Sequence, residues 1–73
     1  MKDIEVKYSV GNEIKTVFLK QMLGGNYHVM LDNYYHGQIV KNLQGWAVYL
    51  ADKSVLNNLE DMNTLIGIVK QQE

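Results

Sequence analysis

The gaps between strand-like runs in this chain are two to four residues long from residue 3 to residue 50, which leaves no room for a crossover. A parallel neighbour needs a connection of a dozen residues or more, whereas an antiparallel one needs only a tight turn. Whatever sheet this sequence makes is therefore an antiparallel meander. The clearest run opens the chain. Ile4, Val6, Tyr8 and Val10 alternate with Asp3, Glu5, Lys7 and Ser9, the period of two that marks a half-buried strand.

The pattern predicts five strands, at about 3–10, 13–22, 27–31, 35–41 and 46–50. Gly11-Asn12 suits a tight hairpin turn, Gly24-Gly25-Asn26 ends the second run, and Asp32-Asn33 is a third turn of residues that tolerate positive φ. In the second run the alternation breaks at Val17-Phe18-Leu19, which predicts a strand with both faces partly covered or one with a bulge. Tyr27, Val29 and Leu31 fall on one face of the third run, His28 and Met30 on the other. Gly37 inside the fourth is a bulge candidate.

After residue 50 the period changes. Leu59, Met62, Leu65, Ile66 and Val69 recur at spacings of three and four, one stripe of an amphipathic helix over about 58–71. Asn57 with Glu60 three residues on resembles a capping box, Asp61 and Lys70 suit the two ends of the helix dipole, and Gly67 reads as a point of close packing on the sheet. Strands followed by one helix imply an α+β single domain over 1–73, with the helix laid on one face of the sheet. Val6, Phe18, Val29, Leu31, Ile39 and Val48 are the core candidates on the sheet.

Composition narrows the function. At 73 residues the chain buries only about 60% of its unfolded surface. It has no cysteine, hence no disulfide, thiolate metal site or cysteine nucleophile, and its two histidines are too few for a structural metal. No cofactor is expected. Efficient packing or self-association must supply what staples would. The net charge of −1 and the lack of a basic patch argue against nucleic acid. No apolar run is long enough for a membrane span, and the opening MKDIEVKY lacks the apolar core of a signal peptide. The expectation is a soluble cytoplasmic protein, although a leader already removed would leave no mark here.

The segment YHVMLDNYYHGQIVKNLQGWAVYL with LNNLEDMNTLIGIV resembles a pattern found in small uncharacterised bacterial single-domain proteins. Its carriers are Tyr27, Val29, Leu31, Asp32, Gly37, Ile39, Gly45, Trp46, Asn57 and Ile68, hairpin and core positions over the C-terminal two-thirds. The resemblance implies a compact α+β fold and brings no activity with it.

The cluster LDNYYHGQI invites a functional reading. A two-residue turn at Asp32-Asn33 pairs Leu31 with Tyr34 and Val29 with His36, so His36 and His28 fall on opposite faces unless Gly37 shifts the register. Aromatic residues on open strands stack bases or sugars, or pack against proteins. The nearest cation to Tyr34-Tyr35 is Lys41, which disfavours bases. Catalysis has little behind it: Ser9 and Ser54 lack a histidine nearby in sequence, Glu60 and Asp61 point about 100° apart on a helix, and there is no phosphate-binding glycine motif. The expectation is a non-catalytic interaction module or homodimer, with Met30, Tyr34, Tyr35, His36 and Tyr49 as candidate surface. The alternative is a small-ligand or nucleic-acid binder that uses the Tyr34–His36 tip.

Overall fold

A computed structural model describes residues 3–72. Its order is β1 (Asp3–Val10), β2 (Glu13–Gln21), β3 (Tyr27–Leu31), β4 (Tyr34–Asn42), β5 (Gly45–Leu50) and α1 (Leu59–Gln72). The five strands form one antiparallel sheet in sequence order, an α+β meander with a C-terminal helix, as the short gaps require. The predicted elements match to within a residue at each boundary.

The turns follow their residues. Gly11 (φ 62°) is the first central residue of the β1–β2 turn, the position where a II′ turn wants glycine. Asp32 and Asn33 both have positive φ (50° and 70°), the pattern of a I′ turn, which joins strands without splaying them. Lys15 Nζ bonds Asp32 at 2.8 Å and Glu13 at 3.2 Å, tying that turn to β2. These carboxylates, the Asp32 hydrogen bond first, raise the pKa of Lys15; exposed as the pair is, it contributes little stability.

The alternation sorts side chains to two faces. Ile4, Val17, Leu19, Tyr27, Val29, Leu31, Ile39 and Val48 are buried on the face that meets Leu56, Leu65 and Val69. No buried polar side chain interrupts this core among the described residues. Tyr27 is fully buried, its ring 6.1 Å from that of Trp46 at a tilt of 55°. Lys41 caps Trp46 from solvent, Nζ 5.6 Å from the ring centre, a cation–π contact across a strand pair.

Four expectations need correction. Phe18 is not in this core: it pairs with Glu5 and Met30 on the other face. That is why β2 breaks its alternation at Val17-Phe18-Leu19, since both faces carry bulk there and the register is unbroken. Val6 is half-buried at the core's margin rather than inside it. Leu59 is 75% exposed, because it lies about 100° from the centre of the Leu65–Val69 stripe. Leu56, in the preceding loop, is fully buried in its stead. Gly67 lies on the far side of the helix with nothing within 4 Å of a Cβ, so it is not a packing contact.

The helix cap also moves by one residue. Asn58 Oδ1 accepts the Asp61 N–H at 2.9 Å, and Asn58 Nδ2 donates to the Asp61 carboxylate at 2.6 Å. The Asn58 carbonyl takes the first helical bond, from Met62 N–H. Asn58 is thus the N-cap and Asp61 its reciprocal partner three residues on. The same carboxylate accepts a hydrogen bond from the Tyr8 hydroxyl, which ties the helix start to β1.

Gly37 is the tightest point of the sheet. Leu31 faces Tyr34 and Met30 faces Tyr35, but Val29 faces Gly37, so His36 is the extra residue of a bulge. The expected Val29–His36 pair is therefore replaced by Val29–Gly37. Gly37 has φ 151°, and a Cβ there would lie 2.2 Å from the Tyr49 carbonyl oxygen and 2.7 Å from Leu50 Cα. Neither atom can move without breaking the β4–β5 ladder.

Two glycine substitutions should act oppositely in denaturant melts. Gly37→Ala is expected to cost about 3 kcal/mol or more, enough to unfold much of a domain this small. Gly67→Ala should add up to about 1 kcal/mol, the propensity gain of an exposed helical position.

Tyr8 supplies a pH signature. Burial first, then the Asp61 hydrogen bond and charge, push its pKa from 10.0 up to about 12. The folded state holds this proton more tightly than the unfolded chain. Its contribution is complete below about pH 10 and is lost as pH rises towards about 12. Melts across that window should show wild type losing more stability than Tyr8→Phe; parallel curves would mean the hydroxyl bond is not maintained.

Candidate functional site

With the helix on one face, no second layer covers the other face of the sheet among the described residues. Cross-strand pairing orders it in rows. One row runs Glu5, Phe18, Met30, Tyr35, and the next runs Asp3, Lys20, His28, Gln38, Tyr49. Val40 and Ala47 form a third pair beyond them. Charge lies at the β1 end of each long row, while apolar and aromatic groups lie towards β4 and β5.

Tyr35 and Tyr49 are 55% and 59% exposed, and Phe18, His28, Met30, Val40 and Ala47 are half-buried beside them. His28 meets Tyr35 edge-on, ring centres 5.1 Å apart and planes at 71°, a geometry favoured for aromatic pairs.

The five expected surface residues divide. Met30, Tyr35 and Tyr49 share the open face. Tyr34 faces Leu31 and therefore belongs to the helix side of the sheet, where it stands 73% exposed at the hairpin end. His36, released by the bulge, turns to the loop after β5, with Nδ1 2.7 Å from Ser54 Oγ. Neighbours in sequence thus point three ways, and the tip does not converge on one ligand position. Sequence reading put Phe18 in the core and, although it set His28 on the side of Met30, left His28 out of the candidate surface. The signal for Phe18 was present in the broken alternation of β2; for His28 it was the plain parity with Met30.

Ser54 and His36 form a serine–imidazole contact, 18 positions apart in sequence. Ser54 Oγ also accepts the Leu56 N–H at 3.1 Å, and the Ala51 N–H donates to the His36 carbonyl at 2.8 Å. Together these bonds turn the chain from β5 to the helix and deliver Leu56 to the core. Their evident work is structural. No pocket indents the surface beside them, and no group of three metal-binding side chains exists among the described residues. No helix among them is long and apolar enough to cross a membrane.

Ser54→Ala should cost about 1–2 kcal/mol by leaving the Leu56 amide without its acceptor. Ser54→Thr should restore most of it, and amide exchange at Leu56 is the local readout. No protein family, curated protein or solved structure matches this chain.

Proposed function

We propose that the protein is a small non-catalytic interaction module that works by association, with another protein or a second copy, through its open sheet face. The observation that carries this reading is the pair of adjoining rows Phe18–Met30–Tyr35 and His28–Gln38–Tyr49, where aromatic groups stand exposed. Exposed aromatic groups gathered on one face of so small a chain suit an interface, and tyrosine and methionine are among the residue types enriched there. A formal charge of −1 leaves little long-range repulsion between copies.

Several features favour binding over catalysis. A flat sheet buries little of a small substrate, and the Ser54–His36 pair is occupied in holding a loop. The Tyr34–His36 tip as a ligand site has less behind it, since its side chains diverge.

The test is absolute mass by light scattering across a range of concentrations. The wild type should rise above the 8.4 kDa of one chain. Tyr35→Glu, at an exposed position that leaves the core intact, should weaken association through the face by about tenfold or more. An unchanged concentration dependence in Tyr35→Glu would remove the face from the mechanism.

A further inference from the structure

The two edges of the sheet are chemically unlike. β1 places Asp3, Glu5, Lys7 and Ser9 along one edge, and charged edge residues, lysine above all, are how natural sheets discourage a strand from adding there. β5 forms the other edge and reads GWAVYL, with no charge at all. Its outward hydrogen-bonding groups follow from one contact. The Ala51 N–H donates to the His36 carbonyl of β4, so Ala51, Tyr49 and Ala47 turn their backbone groups to β4. By alternation Trp46, Val48 and Leu50 turn theirs to the edge.

We propose that β5 pairs with β5 of a second copy, antiparallel and centred on Val48, to give one continuous sheet across a two-fold axis. The proposal goes beyond the face reading above, because it names a second copy as partner and a sheet edge as the surface. The segment is self-complementary in this register. Val48 faces its own counterpart, Trp46 faces Leu50, and all three outward-pointing residues enter the new ladder. On the open face the small Ala47 meets the large Tyr49, and no charge opposes a like charge within the strand. Shifting the axis to Ala47 would leave Leu50 outside the strand pairing and set Ala47 against itself. Trp46 and Leu50 are only half-buried in one chain, and this pairing covers them. It also joins the two open faces edge to edge, so a dimer presents twice the aromatic surface.

The chain has no cysteine, so crosslinking can report the register. Ala47 and Tyr49 would form a non-hydrogen-bonded pair across the axis, with Cα atoms about 4.5 Å apart, within disulfide range. Ala47→Cys and Tyr49→Cys proteins are prepared separately, then mixed and oxidised. The expected result is a disulfide dimer in the mixture and little in either protein alone. Wild-type amides of Trp46, Val48 and Leu50 should exchange at least about tenfold more slowly at high concentration than when dilute.

Equal crosslinking in the unmixed proteins would overturn the register. No crosslink, with exchange at those amides independent of concentration, would overturn the edge pairing whether or not the variants fold. Repeating the mixture in a Tyr35→Glu background separates the two surfaces. Edge pairing survives there even if the face reading fails, and association lost there without any crosslink assigns it to the face alone.

Discussion

The bulge at His36–Gly37 sets the side on which every later residue of β4 lies. Tyr35 and Ile39 are four positions apart, and in an unbroken strand they would share a face. Because His36 is extra, Tyr35 stands with Met30 on the open side, while Ile39 faces Tyr27 in the core. The bulge exists because Gly37 has no side chain. Its Cα rests where the Tyr49 carbonyl and Leu50 backbone leave no space for one. One missing carbon therefore decides which face receives Ile39 and which receives Tyr35.

The second constraint is coverage. A single helix of 14 residues spans about 21 Å and lays its stripe across one face only. Leu56, Leu65 and Val69 close that side, and the Asn58–Asp61 cap and the Tyr8 hydroxyl fix where the helix begins. The other face keeps the apolar groups that the sequence places there. Phe18, Met30, Tyr35 and Tyr49 are not a failure of packing; they are what remains when a one-layer cover meets a sheet with bulk on both sides.

Much of this was legible in the residues. Short gaps dictated the meander, alternation gave the faces of β1 and β3, and the change of period marked the helix. What escaped notice was non-local or a matter of one residue. His36 finds Ser54 only after the loop folds back, so no spacing announces the contact. The cap moved from Asn57 to Asn58 because Asp61, not Glu60, answers its side chain. Leu59 and Leu56 exchanged roles because a loop leucine held by Ser54 reaches the core more directly than a first-turn residue on the stripe's flank. Gly67 was misread for a simpler reason: its helical angle from Leu65 already placed it opposite the sheet.

Strand order that follows chain order has a kinetic consequence. Each ladder closes over a turn of a few residues, so β-structure here assembles from neighbouring contacts, the condition that favours fast folding. The helix is different, because Tyr8 and Asp61 meet across 53 positions of sequence. Docking of α1 therefore rests on the longer-range contacts, and before it the sheet is bare on both sides. A nascent chain passes through that stage for as long as α1 has not left the ribosomal tunnel, at a synthesis rate of about 5–20 residues per second. For that interval the face later closed by Leu56, Leu65 and Val69 lies as bare as the one that carries Phe18, Met30 and Tyr35.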